Sequence, residues 1–154
     1  MAAASLVDGR DVIVISRNTN FLFLSPTHLY DFKKGDLTFK CVEQYMQYSK
    51  AKHFGDNDSA RKIMLAKTAK ECQRLGAKVY GFSNDVWSWL KLDYMREGLL
   101  AKFSQSRSLS KMLARTSGYT LAYCGFVDKF WSCGEASTSH RAYHPPIWSG
   151  QNSY

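Results

Sequence analysis

Proline and cysteine are scarce in this chain of 154 residues, which holds 3 of the first and 4 of the second. So few prolines beside 10 glycines exclude collagen-like and proline-rich classes, and the scattered cysteines exclude a miniprotein built on disulfides. Long apolar runs are also missing. The longest candidate near the start is Val12-Ile13-Val14-Ile15, far short of the roughly 20 residues that span a bilayer. The opening residues Met1-Ala2-Ala3-Ala4-Ser5 lack a charged segment followed by an apolar run, so no secretory leader, no membrane partner and a reducing, cytoplasmic setting with free thiols are expected. No internal repeat is found. What is present is ordinary for a folded domain: 45% hydrophobic and 22% charged residues. At about 150 residues per domain, a single unit over 1–154 is expected, burying about 68–70% of its unfolded surface.

Charge is the first functional hint. Lys and Arg total 21 against 13 Asp and Glu, a formal +8, which favours polyanions, phosphorylated metabolites or nucleotides through a salt-sensitive field. Solubility alone is the plainer reading of the charge, and because the basic residues are spread along the chain rather than gathered in a block, nucleic acid stays a secondary partner. Nine Tyr, nine Phe and four Trp suffice for a core and also for a pocket that takes a planar heterocycle.

The first forty residues read as strand and loop. Asp11–Ile15, Phe21–Leu24 and Leu37–Phe39 are short apolar runs, and the Lys33-Lys34-Gly35-Asp36 segment has the composition of a hairpin turn. From Val42 the period becomes helical, with Val42, Tyr45, Met46, Ser49 and His53 on one face and Gly55 as the stop. Asp56, Asn57 or Asp58 can cap a second helix to about Ala66, and Thr68 a third ending at Gly76. Asn84 or Asp85 is expected to cap the longest helix, to about Phe103. Its apolar stripe is expected to be Trp89, Leu92, Met95, Leu99 and Phe103, with Lys91, Arg96 and Lys102 facing water and Gly98 a mild flaw. A helix over Ser108–Arg115 and a strand over Tyr119–Tyr123 follow, and then a loop-like tail that packs through Trp148. The fold class expected is α+β: a mainly helical single domain with a small antiparallel sheet.

Among residues that carry chemistry, Cys124, Cys133, His140 and His144 can be written Cys-x8-Cys-x6-His-x3-His, but the tight knuckle of structural zinc is missing and no metal is expected. Buried small hydrophobes and tail histidines are the plainer reading. No glycine-rich phosphate loop and no Gly-x-Ser-x-Gly elbow occur. Glu43 opens a helix that is otherwise largely buried, where a carboxylate can serve the helix dipole and nothing more. Asp128 sits in an apolar and aromatic run, Cys124 to Trp131, where an ionised group must reach solvent or find a partner. Trp87 and Trp131 have two open readings, core or the stacking walls of a cleft.

Leu24-Ser25, then Thr38 through Tyr48, Lys50-Ala51 and Phe54-Gly55-Asp56, resemble the N-terminal signature of the NADAR superfamily, the YbiA-like N-glycosidases. Leu75-Gly76, Trp87 and Met95, Ala101-Lys102-Phe103, Leu113 with Thr116, and Asp128-x-x-Trp131-x-x-Gly134 recur in the family's order, so the resemblance covers about residues 21–152. It implies hydrolysis of a ribosyl C–N bond, in phosphoribosylamino-pyrimidine intermediates of riboflavin synthesis or in an ADP-ribosylated substrate, without a cofactor. The implied catalytic residues are Glu43 and Asp128, and the implied substrate-binding residues are Trp87, Trp131, Lys50 and Ser25. Glu43 would activate water or face the sugar cation, Asp128 would orient ribosyl hydroxyls or share proton transfer, and Trp87 would stack on the leaving group.

The chain departs from the family at Pro26-Thr27 (commonly Asn-Phe), Ala77 (often Arg), Tyr123 (often acidic) and Ser132 (Gly in Trp-Gly-x-Gly). These departures keep two alternatives open: an inactive module that binds ADP-ribose or a nucleotide, and a general nucleic-acid binder.

Overall fold

The computed structural model describes residues 4–7, 10–16, 19–124, 128–143, 145 and 149–154. Its chain divides into two compact units, Met1–Ser25 with Ser108–Tyr154, and Pro26–Arg107. The tail residues His144, Pro146 and Trp148, and the stretch 125–127, lie outside the described residues.

In the first unit, β1 (Ala4–Val7), β2 (Arg10–Ile15) and β5 (Tyr119–Tyr123) form one sheet in the order β1-β2-β5. Strand β2 pairs antiparallel with β1 and parallel with β5, with Ile13 opposite Leu121. Val12, Ile13, Val14 and Ile15 are all buried, which is why β2 reads as a continuous apolar run and not as an alternating one. Val12 and Ala122 pack with Tyr143 of the short 3-10 turn His140–Tyr143. Strand β1 was not signalled by any apolar run. The run Phe21–Leu24, expected in the strand portion, is instead a 3-10 turn over Leu22–Leu24, closed by the Ser25 N–H donating to Leu22 O at 2.8 Å. The helix α5 (Arg107–Ala114) leads to β5 through a turn in which Gly118 takes φ +87°.

The C-terminal residues dock through backbone hydrogen bonds: Gly150 N to Cys133 O (2.9 Å), Asn152 N to Ser132 O (2.8 Å) and Ser153 N to Phe130 O (2.9 Å). Asn152 also uses its side chain, Oδ1 accepting from Tyr123 N and Nδ2 donating to Leu121 O, both at 2.8 Å.

The second unit holds the hairpin β3 (Phe32–Lys34) and β4 (Leu37–Phe39), with Gly35 at φ +61° in the expected turn. Gln105 lines the edge of β3, Lys33 N donating to its Oε1 (2.8 Å) and its Nε2 donating to Lys33 O (2.5 Å). Four helices follow: α1 (Val42–His53), α2 (Asn57–Leu65), α3 (Ala69–Gly76) and α4 (Asn84–Ser104). Asp56 caps α2, its Oδ1 accepting from Ser59 N, and Thr68 caps α3 by accepting from Glu71 N. The α4 cap is Ser83, accepting from Val86 N, rather than Asn84 or Asp85. Helix α1 packs against α2, α3 and α4. Ala51, Ala60, Ile63, Ala66, Cys72 and Val79 form one core cluster there, walled by Tyr48, Phe54 and Leu75.

The inner face of α4 holds the expected Met95 and Phe103 but departs from expectation at Trp89 and Lys102. Met95, Gly98, Lys102 and Phe103 are buried, whereas Trp89 is 84% exposed and shares its face with Asp93, Arg96 and Leu100, all exposed. Lys102, expected in water, is 0% exposed. Gly98 is no flaw: a Cβ there would lie 2.9 Å from Tyr45 Cδ2 and 3.1 Å from Val42 Cγ1, so its bare Cα lets α1 and α4 close up. The mixed helix-and-strand architecture is the α+β class expected, and no helix of the described residues is long and apolar enough to cross a membrane.

Candidate functional site

The second unit places Glu43 in the first turn of α1, half-buried, where its N–H donates to Pro26 O at 2.9 Å. Pro26, a departure from the family pattern, thus anchors this turn with its carbonyl. One helical turn further, Gln47 donates from Nε2 to Glu43 Oε1 at 2.7 Å, the i, i+4 spacing that puts both side chains on one face. The neighbouring Gln44 has a different task. Its Oε1 accepts from Lys40 N (2.7 Å) and its Nε2 donates to Ile63 O (3.0 Å), binding α1 to the end of α2.

Lys50 lies two turns from Glu43 on α1, half-buried, its ammonium 4.8 Å from the ring centroid of Phe82. Burial lowers its pKa and the negative charge of Glu43 opposes that shift. Trp87 is half-buried and stacked on Tyr94, centroids 5.5 Å apart at 23°, and Tyr94 meets Tyr45 edge-on. Tyr45 is fixed in turn by its hydroxyl, which donates to Glu97 Oε2 at 2.6 Å; burial first, and that bond second, push the phenol up. Glu43, Lys50 and Trp87 thereby sit on two packed helices of one unit.

Two groups near the start of α1 were not singled out by sequence reasoning. Burial brings Lys102 down to about 8, partly offset by the charge of Cys41. His28 is lowered by burial and then by Lys102, and its Nδ1 is buried with no hydrogen-bond partner among the described residues. The Cys41 thiol is pushed up chiefly by burial, with Glu43 raising it further and Lys102 opposing. The Ala101-Lys102-Phe103 motif was a signal for Lys102, but hydropathy alone points such a residue outward.

In the first unit, Asp128 resolves its apparent conflict with an apolar neighbourhood by being exposed and capping a turn. Its Oδ1 accepts from Phe130 N and Trp131 N, both at 3.0 Å. Ser132, in place of the family's glycine, adds to that turn: its Oγ donates to Asp128 O at 2.5 Å and accepts from Gly134 N at 3.1 Å. Trp131 is half-buried and edge-on to Phe130 at 4.7 Å. Ser25 is buried at the end of its 3-10 turn, Tyr123 packs on Tyr154 at 4.8 Å, and Ala77 is exposed after α3. Of the Cys/His set, Cys124 donates to Cys133, which lowers the Cys133 thiol and raises that of Cys124; His140 is exposed.

Comparison with known proteins bears on the family and the fold. The chain is 32% identical over 131 residues to N-glycosidase R617 of Acanthamoeba polyphaga mimivirus, covering 82% of this chain and 76% of that protein. It is 33% identical over 118 residues to Protein irg-1 of Caenorhabditis elegans, covering 75% and 56%. It is 31% identical over 101 residues to N-glycosidase Npun_R5314 of Nostoc punctiforme, covering 64% of each. The chain thus spans little more than half of the worm protein and under two thirds of the cyanobacterial one. The NMR structure of the Escherichia coli protein YbiA has a similar fold, with a TM-score of 0.71 at 23% identity over 85% of this chain and 77% of that one. The NADAR domain model matches residues 12–154, and with these relatives it establishes that the chain belongs to the NADAR domain family.

Proposed function

We propose that this protein is an N-glycosidase that hydrolyses the C–N bond between a ribosyl group and a nitrogenous group, in a phosphoribosylamino-pyrimidine or an ADP-ribosylated substrate. The observation that carries the reading is the half-buried carboxylate of Glu43, held at 2.7 Å by Gln47 and electrostatically coupled to Lys50. Two relatives bear the name N-glycosidase, which supports the same reaction class. Cleavage of a ribosyl C–N bond builds positive charge on the sugar ring, so a fixed carboxylate stabilises the transition state more than the neutral ground state. Water adds its oxygen to the anomeric carbon, the bond to nitrogen breaks with its electron pair leaving on nitrogen, and the proton released by water ends on the leaving group.

In this scheme Glu43 faces the developing cation or takes the proton from water, and Asp128 orients ribosyl hydroxyls or shares the proton transfer. Trp87 and Trp131 offer faces for planar groups, Ser25 a hydroxyl, and Lys50 a cation for phosphate, with Lys102 adding positive potential from beneath α1. The test is incubation with ribosyl substrates of both classes and chromatographic detection of ribose phosphate or ADP-ribose. Glu43→Gln is expected to lower turnover about 10²–10³-fold, the effect of losing one preorganised electrostatic contact. Tight binding without product by the wild type would replace the hydrolase with a nucleotide-binding module. Salt-sensitive affinity for plain oligonucleotides alone would favour a nucleic-acid binder.

A further inference from the structure

Glutamines 44 and 47 are neighbours on α1, yet only Gln44 is fully explained by the fold. Its carboxamide meets backbone groups on both sides, Lys40 N and Ile63 O. Gln47 has one partner, the Glu43 carboxylate, while its Oε1 is buried with no donor among the described residues. A buried acceptor without a donor opposes folding, so a residue kept only for packing would serve better as methionine or leucine. The glutamine is therefore suited to something other than stability.

Gly76, the last residue of α3, supplies the other half of the arrangement. A Cβ there would lie 1.8 Å from Gln47 Oε1, 2.6 Å from its Cδ and 3.1 Å from its Cγ, so the carboxamide rests directly on the bare glycine. A glutamine amide rotates freely between two orientations unless its surroundings choose. An ionised Glu43 can only accept, so it selects the orientation with Nε2 toward it, and the flat seat at Gly76 holds the group at that distance.

We infer that Gln47 is a positioning residue for Glu43, seated by Gly76, and that its donated hydrogen bond fixes one carboxylate oxygen. This rests on the reading of Glu43 as the group that faces the reacting sugar. A hydrogen bond donated to the charged form favours that form, so removing it raises the Glu43 pKa. The experiment is a pH titration of the full chain labelled with 13C at glutamate carboxyls, with Glu43 assigned by its loss in Glu43→Gln. Gln47→Met is expected to move the Glu43 titration up by at least about half a unit. Gln47→Glu, which places a second carboxylate in the same position, is expected to move it further.

Gly76→Ala, on another helix, is expected to shift the titration in the same direction, because the methyl displaces the flexible end of Gln47. Combined with Gln47→Met it should add little, since both changes break one contact. Melting temperature should hold or rise in Gln47→Met. An unmoved Glu43 titration in both Gln47 variants overturns the proposal, and an additive Gly76→Ala effect removes Gly76 from it. With an active substrate, the acid limb of the kcat/KM profile should follow the titration, with kcat falling and KM nearly constant. If the titration shifts while no substrate is cleaved even by the wild type, the positioning role stands and the hydrolase reading falls.

Discussion

Asn152 behaves toward Leu121 and Tyr123 as an added strand would, giving one acceptor and one donor to the open side of β5 at 2.8 Å each. It does so from a positive φ of 53°, a conformation asparagine tolerates better than most residues. Asn152→Ala leaves a backbone N–H and a carbonyl without these partners and is expected to cost about 2 kcal/mol. Asn152→Asp retains the acceptor but turns a second oxygen toward Leu121 O, and should unfold at lower urea than the wild type. Urea titrations followed by far-ultraviolet dichroism would measure both.

Gly98 reverses the usual helix rule. In an exposed helix interior Gly→Ala gains up to about 1 kcal/mol, but here the methyl would press on Tyr45 and Val42. Gly98→Ala is therefore expected to lose about 1–3 kcal/mol through overpacking between α1 and α4. A stabilised variant in thermal unfolding would refute the close approach.

Asp56 joins two turns, accepting from Ser59 N and Oγ and from Tyr80 N. The Ser59 bonds, and then Tyr80, hold its carboxyl down at about 2 against an ordinary 3.8. Because the folded pKa is the lower one, this stabilisation is complete above about pH 4 and is lost as the pH falls toward 2. Asp56→Asn keeps a good cap and should flatten that part of the stability profile. Asp56→Ala should lower the melting temperature by about 2–4 °C at neutral pH.

Lys102 gives a pH signature of the same sign, in the alkaline range, but from a charge that the fold disfavours. Its folded pKa of about 8 lies below the ordinary 10.5, so the folded state disfavours the ammonium. Stability should accordingly be lowest below pH 8 and rise between about 8 and 10.5, where the unfolded chain still holds the proton. Lys102→Met is expected to remove that rise and to gain up to about 3 kcal/mol at pH 7. A destabilised Lys102→Met with the same alkaline slope would show that another group titrates there. A gain in stability with lost activity would mark Lys102 as a residue maintained for function.

The parts legible in the sequence are those set by local chemistry. Asp56 and Thr68 announce their helices because a cap is a short-range bond, and Gly35 and Gly118 mark turns by their positive φ. On α4, Met95 and Phe103 were legible as core, but Gly98 and Lys102 beside them were not, since hydropathy counts neither as core. Trp89 entered the stripe by its helical spacing from Leu92 and its apolar ring, while Tyr45 and Val42 decide the packing from 40 or more residues away in sequence. Leu22–Leu24 has strand composition, but backbone bonding within four residues curls it into a turn. At the candidate site Glu43 stood out as a carboxylate among apolar residues. The contact of Gln47 with Gly76 did not, because it joins α1 to α3 and depends on an absent side chain.

Gln105 and Asn152 share a tactic: a side-chain amide occupies the outer margin of a strand, β3 in one case and β5 in the other. A margin filled by a single amide cannot be copied by an incoming chain, which needs several consecutive peptide groups to dock. Replacing either amide would strip that guard, so the harm to expect beyond lost stability is self-association by strand addition, growing with protein concentration.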